Sequence, residues 1–172
     1  ESIRSADRII VPGVGSASYA MQKLYDRNLV SILQNLAQPV LGICLGMQLL
    51  ADSSEEGANG EGGTPGLGLI SGHVASLKEL GCSLRVPHVG WNSVYSQSRS
   101  PLMKTIPDGT DFYFVHSYFP EPRDSSIVAS RTTYGVEFCS AIWKGNVFAT
   151  QFHPEKSQKA GIKLLVNFVG LI

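Results

Sequence analysis

The sequence predicts an α/β fold of three layers, a mostly parallel central sheet with helices on both faces. Three observations carry this. Ile9-Ile10-Val11 and Pro39-Val40-Leu41-Gly42-Ile43 are short apolar runs of strand character, each followed by helix-patterned sequence. That strand–helix–strand–helix order implies parallel neighbours with helices packed on the sheet. Between the second run and its helix lies Gly42-Ile43-Cys44-Leu45-Gly46, the Gly-x-Cys-x-Gly frame of a nucleophile elbow.

The elements follow in order. The β-branched run Ile9–Val11 ends at Pro12 and opens into the glycine loop Pro12-Gly13-Val14-Gly15-Ser16. Residues 17–36 place Met21, Leu24, Tyr25, Leu29, Ile32, Leu33 and Leu36 at helical spacing, as one interrupted helix or two short ones. Pro39–Ile43 reads as the second strand and Leu45–Ala51 as a helix. Residues 52–68, rich in Gly, Ser and Glu, read as an exposed loop. Strands are predicted at Leu67–Val74, Leu84–Val89, Asp111–Val115, Ile127–Thr132 and Phe138–Trp143. Gly145-Asn146 reads as a hairpin turn into Val147–Gln151. An amphipathic helix over Gln158–Val169 closes the pattern, with Ile162, Leu165, Val166 and Phe168 as its predicted core side. No repeat or low-complexity linker divides residues 1–172, so one domain is expected.

Composition narrows the function classes. The 172 residues suffice for one well-buried core. Lys+Arg and Asp+Glu both number 14, so no basic excess points to nucleic acid or an anionic membrane surface. No apolar run reaches the roughly 18 residues of a membrane-spanning helix. No secretory leader is recognisable at Glu1, and the natural N-terminus is expected to lie outside this chain. The cysteines are Cys44, Cys82 and Cys139, without a Cys-x-x-Cys pair. That pattern argues against a disulfide framework and a structural zinc site, and it fits a reducing, cytoplasmic setting.

Cysteine chemistry is the sharper reading. A free cysteine is ordinarily a small core residue, and Cys139, inside an apolar run, reads that way. Cys44 differs because glycines flank it where a tight turn leaves no room for side chains. The helix N-terminus behind it favours a thiolate. A cysteine nucleophile needs a base, and the base needs an orienting acceptor. Gln151-Phe152-His153-Pro154-Glu155 ends the last strand. His153 and Glu155, two apart on extended backbone, point to one side. His153 is thus the candidate base and Glu155 its orienter. His73 and His88 have no such partners, and His116 ends an aromatic run that could face a site. No third ligand with metal spacing joins His153 and Glu155, so no metal is expected. The Gly13-Val14-Gly15 loop lacks the phosphate-cradling patterns and suits an oxyanion hole better.

Gly42-Ile43-Cys44-Leu45-Gly46-Met47-Gln48 together with His153-Pro154-Glu155 resembles the class I (triad) glutamine amidotransferases. Pro12-Gly13-Val14-Gly15-Ser16, Pro87-His88-Val89-Gly90-Trp91-Asn92 and Phe114-Val115-His116-Ser117-Tyr118-Phe119 are similar to the glutaminase subunits of imidazole glycerol phosphate synthases. The resemblance covers essentially the whole chain. It implies a flavodoxin-like architecture and a triad of Cys44, His153 and Glu155. It also implies an oxyanion hole from Leu45 and the Val14–Gly15 loop, and glutamine held by Gly15, Gln48, Ser117 and Tyr118. No cofactor is implied. The implied partner is a (β/α)₈-barrel cyclase subunit, forming a heterodimer, with Trp91, Asn92 and Lys156 as candidates for the partner face. Members of that family begin with a further strand and helix, which this chain is expected to lack. Three alternatives stay open. One is the glutaminase domain of another amidotransferase, serving anthranilate, GMP or carbamoyl-phosphate synthesis. Another is a regulatory subunit without catalysis, and the third is a cysteine hydrolase of related fold.

Overall fold

The computed structural model describes residues 2–57 and 63–171. In chain order, α1 (Ser2–Ser5) and β1 (Ile9–Val11) lead into α2 (Ala17–Asp26) and α3 (Val30–Gln34). Ser16 caps α2 by accepting a hydrogen bond from the Tyr19 N–H. Asn28, left-handed at φ 55°, breaks the helical run and splits residues 17–36 into two helices. Next come β2 (Val40–Ile43), α4 (Leu45–Leu49), β3 (Ala51–Ser54), β4 (Thr64–Pro65) and β5 (Ile70–Ser76). The remainder is β6 (His88–Ser96), β7 (Thr110–His116), β8 (Tyr118–Pro122), β9 (Val128–Tyr134), β10 (Val136–Lys144), β11 (Val147–Thr150) and α5 (Gln158–Val169).

The seven-stranded sheet runs β1-β2-β11-β10-β9-β6-β7. Its first half is parallel: β2 lies between β1 and β11, with Gly42 opposite Val11 on one side and Ala149 on the other. Its second half is antiparallel. The α/β expectation therefore holds, but the sheet is mixed and not mostly parallel: parallel pairing is confined to the half that ends at the elbow. The physical reason is local: the two-residue Gly145-Asn146 turn joins β10 to β11, and a hairpin makes only antiparallel neighbours.

Alternate side chains of the parallel strands feed two cores. Leu41, Ile43 and Phe148 join Leu164 and Phe168 of α5 on one face. Val40, Val147 and Ala149 join Ala17 and Met21 of α2, Leu33 of α3 and Leu45 and Leu49 of α4 on the other. Helices thus cover both faces.

Four predicted elements are corrected. The helix after Cys44 ends at Leu49, and Ala51 already opens β3. Residues 52–68 therefore hold strand as well as loop: β3 and β4 belong to a second sheet of order β4-β3-β5-β8. Polar Asp52, Ser53 and Ser54 have loop-like propensity, and pairing with β5 overrides it. Residues 58–62 of that loop lie outside the described residues. The strand expected at Leu84–Val89 begins at His88, because Pro87 has no N–H to offer a ladder. The core side of α5 is also rotated: Gly161, Leu164 and Phe168 are buried, while Ile162 and Val166 are 62% and 57% exposed. Gly161 sets that rotation. A Cβ there would sit 1.8 Å from the Pro154 carbonyl oxygen, so only glycine lets this face of α5 meet the turn that carries Glu155.

Candidate active site

Cys44 stands between β2 and α4 at φ 52°, ψ −110°, a conformation non-glycine residues rarely hold. The flanking glycines make the turn possible. A Cβ on Gly46 would lie 1.7 Å from the Val11 carbonyl oxygen, and one on Gly42 would lie 2.9 Å from the Gly46 carbonyl oxygen. The Cys44 N–H donates to the Thr150 carbonyl at 2.8 Å, tying the elbow to the end of β11. Three residues beyond Thr150 in the chain sits His153.

The neighbourhood of the His153 ring points to a base. Nδ1 lies 2.6 Å from Glu155 Oε1, so Nδ1 carries the proton and donates it to the carboxylate. Nε2 is then the basic nitrogen, buried and without a hydrogen-bond partner among the described residues. Two backbone anchors hold the residue: its N–H donates to the Tyr113 carbonyl at 2.9 Å, and its carbonyl accepts from Ser157 Oγ at 2.6 Å. His153 lines a cavity of about 220 Å³ together with Cys44. Glu155 approaches the ring from the other side, in a second cavity that His153 also lines. Among the described residues no three His, Cys, Asp or Glu side chains converge as metal ligands.

The cavity brings together the residues that resemblance suggested. Val14, Gly15, Leu45, Gln48, Ser117 and Tyr118 all line it. Val14 is 82% exposed on its loop and Gly15 has φ 97°, a left-handed value that suits glycine. The Leu45 N–H, at the start of α4, reaches toward the sulfur and favours its charged form. Burial works against it and pushes the Cys44 thiol up to about 11, with the Glu155 carboxylate adding to the rise. Gln48 donates from Nε2 to the Tyr118 carbonyl at 2.9 Å and to Gln151 Oε1 at 3.1 Å. Both of its N–H groups are thereby used, and its carbonyl oxygen is left for a ligand.

Glu56 also lines this cavity, and its Oε2 accepts the Ala17 N–H at 2.8 Å at the start of α2. Sequence reasoning passed over it, because an acidic residue in a Ser- and Glu-rich stretch carries no spacing signal. His116, ambiguous from sequence, lines the cavity and is buried. His116 Nδ1 lies 2.9 Å from the Tyr118 carbonyl, and its Nε2 lies 3.0 Å from His88 Nδ1. The carbonyl accepts, so His116 donates from Nδ1, and His88 donates from Nδ1 to His116 Nε2. Both rings are thus neutral, and burial holds His88 down to about 4 and His116 to about 3. His73 sits outside this group, at the surface against Glu121.

The three interface candidates do not share a face. Trp91 is 47% exposed and packs edge-on to Tyr113, and Lys156 Nζ lies 5.8 Å from the same ring. Asn92 points to the opposite side of β6, where it donates to the Thr133 carbonyl at 2.9 Å and approaches His88 Nε2. The strand's two-residue period makes the separation unavoidable.

A family model described as "Glutamine amidotransferase class-I" matches residues 2–170. The chain belongs to the class I glutamine amidotransferases. Among curated relatives of this amidotransferase is the "Imidazole glycerol phosphate synthase subunit HisH" of Acinetobacter baylyi, 46% identical over 170 residues, covering 97% of this chain and 80% of the relative. The protein of the same name from Haemophilus influenzae is 48% identical over 167 residues, covering 97% and 79%. Solved amidotransferase structures share the fold at lower identity. A putative GMP synthase component from Thermoplasma acidophilum superposes with TM-score 0.69 at 18% identity, covering 98% of this chain and 74% of that one. A Thermotoga maritima glutamine amidotransferase gives 0.63 at 17%, covering 95% and 62%.

Proposed function

We propose that this chain is the glutaminase subunit of an imidazole glycerol phosphate synthase. It hydrolyses glutamine to glutamate and ammonia and passes the ammonia to a (β/α)₈-barrel cyclase partner, which makes imidazole glycerol phosphate and aminoimidazole carboxamide ribonucleotide. The observation that carries the chemistry is the buried His153 Nε2, unpartnered among the described residues, on a ring that lines the cavity holding Cys44 and has Nδ1 bound to Glu155. The relatives that bear the HisH name at 46–48% identity support the choice of synthase.

The steps follow from the atoms. His153 Nε2 takes the Cys44 thiol proton, and the thiolate attacks the side-chain amide carbon of glutamine. The Leu45 N–H and the Val14–Gly15 loop hold the oxyanion. His153 returns its proton to the departing nitrogen, which leaves as ammonia, and a γ-glutamyl thioester remains on Cys44. His153 then deprotonates water, water attacks the thioester, and glutamate departs as the thiol is restored. General acid–base help of this kind is worth about 10²–10⁴-fold and one oxyanion donor about 10²–10³-fold. Gly15, Gln48, Ser117 and Tyr118 hold the substrate. The Glu56 carboxylate, in the same cavity, suits the α-ammonium group of glutamine.

The partner docks on the outer face of β6–β7, where Trp91 and Tyr113 stand with Lys156. Tyr113 accepts the His153 N–H through its carbonyl, so this face adjoins the catalytic base. Ammonia released there crosses to the cyclase without entering bulk water. Glutamate release from glutamine tests the reading, measured with and without a cyclase subunit carrying its nucleotide ligand. Partner-dependent turnover that vanishes in Cys44→Ala is expected. A folded chain bound to the cyclase but inactive in every condition would overturn it and leave a purely regulatory role.

A further inference from the structure

Gln151 has no part in the steps above, yet it is fully buried and its side chain touches the nucleophile. Its Nε2 lies 3.6 Å from Cys44 Sγ, and its Oε1 accepts from Gln48 Nε2 at 3.1 Å. We propose that the Gln151 side-chain amide is a catalytic hydrogen-bond donor to the Cys44 sulfur, stabilising the thiolate and held in that orientation by Gln48. The proposal rests on the glutaminase reading and adds to it a second donor to the buried sulfur, beside the Leu45 N–H.

The orientation of both amides follows from one end of the chain. The Tyr118 carbonyl can only accept, so Gln48 must present its NH₂ there, at 2.9 Å. The second N–H of that group reaches Gln151, which must answer with its oxygen. The Gln151 NH₂ is then left facing the sulfur. A flipped Gln151 would set NH₂ against NH₂ and, once Cys44 ionises, oxygen against the thiolate, two unfavourable contacts in a buried site.

The donor matters more to the thiolate than to the thiol. In the resting state the Cys44 S–H has the Val115 carbonyl as acceptor, at 3.8 Å. When the proton passes to His153 Nε2, that contact is lost and two donors remain, the Leu45 N–H and the Gln151 amide. Hydrogen bonds to a charged acceptor are roughly twice as strong as neutral ones. The other charged groups that act on the sulfur are Glu155 and Glu56, which oppose its ionisation, and Lys156, which favours it. His153 and His116 also line the cavity. Among these groups only the Gln151 amide is a fully buried side-chain donor within hydrogen-bond reach of Sγ.

The test is the pH dependence of Cys44 alkylation by iodoacetamide, followed by peptide mass spectrometry so that Cys82 and Cys139 are counted apart. Gln151→Met keeps the volume and removes the donor. At a fixed pH below the midpoint its alkylation rate should fall about 10–100-fold, the equivalent of a midpoint raised by about one to two pH units, and kcat should fall by a similar factor with KM nearly unchanged. Gln151→Glu keeps an oxygen for Gln48 and places a carboxylate beside the sulfur, so its midpoint should rise at least as far. An unshifted midpoint in either folded variant would overturn the proposal and leave Gln151 as packing. The wild-type chain gives a readout independent of variant folding. The Gln151 side-chain amide signal in ¹H–¹⁵N spectra should move with the same midpoint and stop titrating in Cys44→Ala. A signal that ignores Cys44 ionisation would equally overturn the proposal. None of these readouts except kcat and KM needs glutamine turnover, so failure of this proposal is distinguishable from failure of the glutaminase reading.

Discussion

His88 and His116 show how a buried polar pair is tolerated when each hydrogen has an assigned acceptor. His116 donates to the Tyr118 carbonyl, His88 donates to His116, and His88 stacks on Tyr134 at 3.9 Å. Both rings are neutral, with folded values near 4 and 3 against the ordinary 6.5. The sign of the linkage follows. The unfolded chain binds protons on these rings below pH 6.5 while the folded chain does not, so stability is full above that value. It is lost progressively as pH falls below 6.5, and the loss levels off near 4 and 3, where the folded rings take up protons as well. The urea midpoint should therefore drop between pH 7 and pH 5 by the equivalent of about 2 kcal/mol or more. A His88→Gln/His116→Gln double variant should flatten that part of the profile. A wild-type profile already flat over this range would mean that the rings titrate freely.

At the scale of elements, close backbone approach does much of the positioning. Gly46 lets α4 start against the end of β1, and Gly161 lets α5 sit on the turn that carries Glu155. The rotation of α5 gives a direct test. Leu164, fully buried, should cost about 2–5 kcal/mol when changed to alanine. Ile162→Lys, on the exposed face, should shift stability by no more than about 0.5 kcal/mol. Thermal or urea unfolding of the two variants separates the observed rotation from the one the amphipathic pattern suggested, in which Ile162 would be the costly position.

For the whole molecule, the sheet has two faces at β6 with two tasks. The outward Trp91 is the residue proposed for partner docking, and the inward Asn92 ties β6 to β9 and to the histidine pair. Trp91→Ala should leave unfolding unchanged and weaken cyclase binding by about 2 kcal/mol or more, roughly 30-fold, in a titration. Asn92→Ala should do the reverse, lowering stability by about 1–2 kcal/mol with a smaller effect on association. Equal effects of both substitutions on binding would place both side chains on the partner face. The matched relatives extend beyond this chain, which spans about 80% of the length of the first of them.

The α/β class, the elbow at Cys44 and the His153–Glu155 pair were all legible in the residues, because each rests on short-range chemistry. Glycines flank a strained cysteine, a two-residue offset puts His and Glu on one side, and apolar runs alternate with helical spacing. The tertiary structure decided what local pattern does not encode. It drew β3 and β4 out of a loop-like stretch, since strand pairing overrides weak propensity. It turned α5 about its axis, since one glycine contact outweighs an ambiguous apolar stripe. It placed Glu56 and Gln151 at the nucleophile, since a single polar residue has no periodicity and acquires its role only from the neighbours that folding brings to it.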